Sequence, residues 1–293
     1  MKNFILIIVI ASALGLGITL KNYSTAKLAE ENAFADEFLS LLEETIPNLK
    51  WPENMSLSST NDLVKVPILV YHSVRPPFAT QTKLMKDYNV SPVAFTAQLK
   101  YLKDNHYNII SMNALDDYFS KKIALPDKPV ILTFDDGWEN QYKYAFQILK
   151  NFNTTGTFFI YTNAIDKKHF LTWPQVKEMA AAGMTIGAHT KSHPYLIKIS
   201  QNIAKLRDEI IGGKKVLEEH LGAPVDFFAY PFGHYNNEIL AVIKEAGFKM
   251  ARSTYTDVYQ TSENLYTLHG NEVREPISQF TQMLTQTAFV NAK

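Results

Sequence analysis

The chain contains no cysteine. Disulfides, thiolate-held metals, a cysteine nucleophile and a lipid-modified cysteine anchor are thereby excluded, and the compartment has to be read from other features. Charge of either sign is not in excess, since 29 Lys and Arg balance 29 Asp and Glu. Basic patches interleaved with aromatics are missing too, so nucleic acid is not an expected partner. Internal repeats and low-complexity blocks are also absent. What remains is a globular composition, 46% hydrophobic and 20% charged over 293 residues, enough for one large domain or two smaller ones.

A long uncharged run occurs at the N-terminus. Phe4 to Leu20 is mostly Ile, Leu, Val, Ala and Gly, at the lower edge of what spans a bilayer and also suited to a secretory signal. Residues 1–25 are therefore expected to be a signal peptide or membrane anchor. That places the protein outside the cytoplasm, membrane-anchored or secreted, in the cell envelope. Residues 26–64 read as a helical stalk and linker. Phe34, Phe38, Leu41 and Leu42 fall at helical spacing, Pro47 stops the helix, and a Ser- and Asn-rich stretch comes next.

From Lys65 onward, strand and helix patterns alternate. Strands are expected at 66–74, 107–110, 130–133, 155–161, 184–188, 226–230, 248–253 and 265–268. Helices are expected at 91–105, 112–119, 138–151, 172–182, 200–221, 236–246 and 278–287. Repeated β-then-α units imply a parallel sheet with helices outside. The fold class is α/β, an irregular (β/α) barrel of about seven parallel strands over residues 65–290. Catalytic groups in such a fold belong at the C-terminal ends of strands.

Three strand ends carry ionisable residues. The run Pro129 to Trp138 (PVILTFDDGW) ends in Asp135 and Asp136. On a straight strand these carboxylates would point to opposite faces, but where the backbone bends at Gly137 both can reach one pocket. A metal taken by one Asp would leave the other ionised as a base. The strand at 184–188 ends in His189-Thr-Lys-Ser-His193, and the first strand ends in His72. Two histidines and one carboxylate with open positions form the catalytic pattern for zinc and suit other divalent metals. His106, His169, His220 and His234 fall in loops or on helix surfaces and are read as structural.

TFDDG (Thr133 to Gly137) and HTKSH (His189 to His193) resemble the first two motifs of the polysaccharide deacetylases, the NodB-homology domain. Tyr230-Pro231-Phe232-Gly233 resembles their third. ILVYHSV (Ile68 to Val74) and the stretch Ser91 to Ser111 are similar to the subgroup acting on poly-N-acetylglucosamine and related cell-wall glycans. The resemblance implies that Asp136, His189 and His193 hold a divalent metal, zinc first, with cobalt or nickel as alternatives. Asp135 would be the general base activating a metal-bound water against an acetamide carbonyl. Tyr230, Pro231 and Phe232 would form the substrate and oxyanion wall, with a main-chain amide near Phe232 as donor. His72 is expected to protonate the leaving amine, with His269 as second choice. Relatives often place an arginine at the start of the third motif to pair with the base; Ala229 stands there, so Lys191 or a main-chain donor is expected to orient Asp135.

The function expected is metal-dependent N-deacetylation of an N-acetylglucosamine polymer, exopolysaccharide or peptidoglycan, with a membrane contact through the N-terminal segment. An O-acetyl esterase on acetylated polysaccharide and a weakly active glycan-binding surface protein are the alternatives.

Overall fold

Pro129–Asp136 forms the central strand, with seven of its eight residues buried. An apolar, β-branched run suits a parallel sheet covered on both faces. The computed structural model describes residues 63–285. The expected signal or anchor (1–25) and nearly all of the expected stalk (26–64) lie outside the described residues. Among the described residues no helix is long and apolar enough to cross a membrane.

The sheet comprises β1 (Ile68–Tyr71), β2 (Asn108–Ile109), β3 (Pro129–Asp136), β4 (Thr157–Ile160), β5 (Thr185–Ala188), β6 (Phe227–Ala229), β7 (Met250–Arg252) and β8 (Asn271–Glu272). Its order is β7-β6-β5-β4-β3-β1-β8, with β2 beside the start of β3, and every pairing is parallel. The principal helices among the described residues are α1 (Pro92–Asp104), α2 (Met112–Phe119), α3 (Gln147–Asn151), α4 (Trp173–Ala181), α5 (Gly213–Leu221), α6 (Asn237–Glu245) and α7 (Ile277–Thr285). The expected α/β architecture is present as a curled half-barrel of seven parallel strands, with β2 as an eighth beside it. Its open seam is spanned by one segment: Leu268 exchanges main-chain hydrogen bonds with Ala251 and Ser253, and Val273 then donates to Val70 on β1.

Local chemistry starts the helices where the sequence places them. The Ser91 hydroxyl accepts the Ala94 amide with Pro92 at the first position of α1, and Thr172 and Gln175 form a reciprocal capping box on α4.

Alternation along the strands sorts two apolar layers. Val130, Leu132 and Phe134 of β3 pack toward the helices with Phe158, Ile160 and Phe228. Ile131 packs inward with Ile68, Phe159, Phe227, Ala229 and Met250. Asp135 lies two residue pairs beyond Ile131 and Arg252 two residues beyond Met250, so both belong to the inner face. That placement governs the site.

Several expected elements differ. The helix expected at 138–151 begins as a π-helical turn, Gln141–Phe146. The helix expected at 200–221 is divided: Leu196–Ile199 forms a separate turn, Asn202 caps Ile203–Arg207, and a second π-helical turn, Asp208–Gly212, leads into α5. The strand expected at 265–268 is a turn-rich segment touching β7 by a single bridge at Leu268, and the strand itself is β8. Leu265 and Leu268 carry the apolar signal of a strand without its extended backbone. The loop after His72 also holds a short helix, Lys83–Asp87.

Candidate active site

The ends of β1, β3 and β5 open into one cavity of about 1050 Å³ lined by His72, Asp135, Asp136, His189 and His193. Adjacent carboxylates reach it because the chain turns at Asp136 itself, with φ of 79°, one residue earlier than the glycine. Gly137 comes next with φ of 75°, and a Cβ there would lie 2.8 Å from the Ile160 side chain. Only glycine meets both demands. Thr190, His193 and Phe232 also take left-handed backbone, with φ of 70°, 57° and 61°. Such conformations cost energy for residues with a Cβ and concentrate at functional sites.

Asp135 is buried, and its partner is Arg252. The arginine Nη2 donates to Oδ1 at 2.6 Å and to Oδ2 at 2.5 Å, and Nη1 donates to the Ser253 carbonyl at 3.1 Å. The guanidinium passes 5.3 Å from the centre of the Phe159 ring. Burial alone would push the Asp135 carboxyl up; Arg252, then His189 and His72, outweigh it and hold the group below the usual carboxylate range. Arg252 is the register partner of Ala229 on the neighbouring strand. The arginine missing from position 229 is therefore supplied one strand over. Gly270, where an added Cβ would lie 3.0 Å from Arg252 Cδ, leaves room for the arginine, and Gly187, where a Cβ would collide with the Phe159 ring, leaves room for that ring. The expectation for Lys191 is corrected: its ammonium pairs with Asp208 at 2.8 Å.

Asp136, His189 and His193 bring one ligand atom each to within 4.8 Å of one another. His189 Nδ1 lies 2.7 Å from the Ala229 carbonyl. A carbonyl can only accept, so Nδ1 carries the proton and Nε2 presents a lone pair to the cavity. Burial, reinforced by His193 and opposed by Asp135 and Asp136, pushes the His189 imidazole down to about 4, which keeps it neutral near pH 7. The two Nε2 atoms are 3.2 Å apart, and Asp136 Oδ1 lies 3.7 Å from His189 Nε2 and 3.4 Å from His193 Nε2. A tetrahedral ion with ligand bonds of about 2.0–2.2 Å sets donor separations of roughly 3.3–3.6 Å. The donor set fits a divalent cation with positions left open for other ligands.

Two supporting residues were not evident from sequence. Trp138 Nε1 donates to Asp136 Oδ2 at 2.9 Å, leaving Oδ1 toward the histidines, while its ring stacks on Phe170 with centroids 4.3 Å apart. Gln141, fully buried at the start of the first π-helical turn, donates through Nε2 to the His72 carbonyl at 2.7 Å and also to the Asp135 carbonyl. It ties the ends of β1 and β3 together. A tryptophan two residues past a doubled aspartate is the one local signal that existed for the first; the second is visible only once the strands are adjacent.

His72 is half-buried in the cavity wall with its ring edge-on to Tyr88, centroids 4.8 Å apart. His269 is outside the cavity lining, and its Nδ1 lies 2.9 Å from the Tyr259 carbonyl. Of the third-motif residues, Tyr230 and Phe232 line the cavity, whereas Pro231 is buried and does not line it. The Tyr230 hydroxyl is itself buried and donates to the Tyr266 carbonyl at 2.8 Å, and burial pushes its ionisation up. His169, read as structural, sits on the rim, where its carbonyl accepts the Glu139 amide at 2.9 Å.

Residues 122–251 match the polysaccharide deacetylase family model. The chain is 27% identical over 260 residues to YxkH of Bacillus subtilis (strain 168), covering 86% of this chain and 90% of that protein. It is 27% identical over 246 residues to the poly-beta-1,6-N-acetyl-D-glucosamine N-deacetylase of Staphylococcus aureus (strain MSSA476), covering 76% and 80% respectively. Among solved structures, the Streptococcus pyogenes deacetylase PplD, in complex with acetate, superposes with a TM-score of 0.70 at 27% identity, covering 76% of this chain and 99% of that one. With motif residues, fold and family model in agreement, residues 122–251 carry a polysaccharide deacetylase domain.

Proposed function

We propose that the protein is a metal-dependent N-deacetylase acting on N-acetylglucosamine-containing polysaccharide, exopolysaccharide or peptidoglycan, outside the cytoplasm. One observation carries this reading: Asp135, kept ionised by Arg252, shares a cavity with the Asp136–His189–His193 donor set and with His72. The similarity to the S. aureus poly-N-acetylglucosamine deacetylase supports the sugar, and the uncharged run Phe4 to Leu20 supports export and membrane contact.

A divalent cation held by Asp136, His189 and His193, zinc in the first instance with cobalt or nickel as alternatives, would polarise the acetamide carbonyl and acidify a water beside it. Asp135 takes the proton as the water oxygen bonds to the carbonyl carbon. Arg252 fixes both carboxylate oxygens so that the base keeps its charge and direction. His72 gives a proton to the nitrogen as the carbon–nitrogen bond breaks, and acetate and a free amine result. Developing negative charge on the carbonyl oxygen needs a donor on the other wall. In the third-motif turn the Tyr230 amide is given to the Arg252 carbonyl at 3.1 Å and the Gly233 amide to the Tyr230 carbonyl at 2.8 Å. Proline has no N–H, so the Phe232 amide is the donor assigned here. The exposed Phe232 ring and the Trp138–Phe170 stack offer flat apolar faces to sugar rings.

Alanine at position 229 would favour the glycan-binding alternative if it left the base without an arginine partner. Arg252 removes that support, because the base has its arginine from another strand.

The test is amine release from N-acetylglucosamine oligomers by the full chain, metal-free and reconstituted with zinc, cobalt or nickel. Metal-dependent release is expected, falling about 10²–10⁴-fold in Asp135→Asn with metal retained. Saturable oligomer binding without release under any metal would return the reading to a lectin. Acetate release from acetylated xylan, with no amine from the oligomers, would make the enzyme an esterase.

A further inference from the structure

The loop bearing His189 and His193 is held from beneath by a carboxylate with no role in the chemistry above. Glu209 is 6% exposed and sits in the second π-helical turn, Asp208–Gly212. Its Oε2 accepts the main-chain amides of Lys191 at 3.1 Å and Ser192 at 2.8 Å, and its Oε1 accepts the Ser192 hydroxyl at 2.5 Å. Two successive amides converging on one oxygen form an anion-binding nest, and here the protein supplies its own anion. The next amide, that of His193, is given to Thr190 Oγ1 at 2.9 Å. The amides of Lys191, Ser192 and His193 are thus all committed, two of them to Glu209.

The loop requires such a partner. Thr190 and His193 both take left-handed backbone, which a free loop would relax out of. Contact from the same helix is close: a Cβ on Gly213 would lie 2.8 Å from the Thr190 carbonyl carbon, so this position admits only glycine without a shift of the loop. The π-helical turn supplies the register. An extra residue in the turn rotates the helix before it relative to the helix after it, and π-turns recur at functional sites. It lets Glu209 and Gly213 meet the same loop.

We propose that Glu209 is a positioning residue for metal binding: as a carboxylate it fixes the Thr190–Ser192 backbone so that the His189 and His193 Nε2 atoms stay converged. This rests on the reading of those histidines as metal ligands. Residues that orient ligands in this way alter metal affinity about 10–100-fold when replaced.

The experiment titrates metal-free full-chain protein with cobalt, recording the visible d–d spectrum and the dissociation constant by chelator competition. Wild type is compared with Glu209→Gln, Ser192→Ala, His193→Ala and Arg207→Ala. Arg207 lies on the same helical stretch but pairs outward with Glu245 at 3.0 Å, so its replacement reports helix destabilisation alone. Glu209→Gln keeps the shape but cannot accept both amides and the hydroxyl. It is expected to weaken cobalt binding about 10–100-fold and alter the spectrum. Ser192→Ala, which removes one bond only, should weaken binding less, and Arg207→Ala should leave both readouts unchanged. Cobalt binding by Glu209→Gln equal to wild type, or an equal loss in Arg207→Ala, would overturn the proposal while leaving the ligand assignment standing. Unchanged binding in His193→Ala, or no binding by wild type, marks failure of the ligand assignment itself and takes the proposal with it.

Discussion

Arg252 grips Asp135 across 117 residues of chain, with one guanidinium nitrogen 2.6 Å and 2.5 Å from the two carboxylate oxygens. Neither side chain has appreciable contact with solvent. Removing one partner of such a pair strands a buried charge, which costs about 3–5 kcal/mol, whereas removing both costs much less. Arg252→Met should therefore destabilise the protein by about that amount, and Asp135→Asn/Arg252→Met by clearly less than the two single changes together. Urea unfolding of the four proteins checks this, and strict additivity would mean the pair is not coupled.

Trp138 tests the orientation of the proposed metal carboxylate. Trp138→Phe keeps an aromatic ring against Phe170 and removes only the Nε1 donor to Asp136 Oδ2. Metal affinity should fall about 10-fold, at the low end of the range for such supporting groups. Chelator competition measures it. Unchanged affinity would make the tryptophan a sugar-facing surface alone.

Much of this site was legible because its signals are local. Ser91-Pro92 and Thr172 mark helix starts by their capping chemistry. Asp135, Asp136, His189 and His193 stand where apolar strand runs end, the place an α/β sheet presents its chemistry. Arg252 was not legible. An arginine after Met250-Ala251 reads as a solvated strand end, and its meaning depends on β7 lying across the inner face from β3. The two π-helical turns were hidden for another reason: their apolar spacing is that of an α-helix, so the extra residue leaves no periodic trace over so short a span. At two residues, β8 was too short to carry an alternating pattern.

His72 and His269 give opposite expectations. His72 faces the cavity, and His72→Gln should lower kcat about 10²–10⁴-fold if it delivers the proton to the amine. His269 is engaged with the Tyr259 carbonyl away from that cavity, so His269→Gln should leave kcat near wild type. Steady-state amine release by both variants decides between them, and the reverse pattern would move the acid role to His269.

The buried imidazole of His189 makes the metal-free protein sensitive to mild acid. Its ordinary value is 6.5, and burial pushes it down to about 4 in the folded chain. Between those values the unfolded chain binds a proton that the folded chain refuses. Stability therefore rises with pH across this window and is lost as pH falls from 6.5 toward 4. Asp135 acts in the same direction at lower pH: its depressed carboxyl stabilises the fold above its ordinary value of 3.8, and that contribution is lost as pH falls through its folded value. Urea unfolding of the metal-free protein at pH 7, 6, 5 and 4 should show a decline that is shallower in His189→Gln, whose side chain cannot protonate. Equal slopes for the two proteins would show that His189 does not enter the folded state neutral.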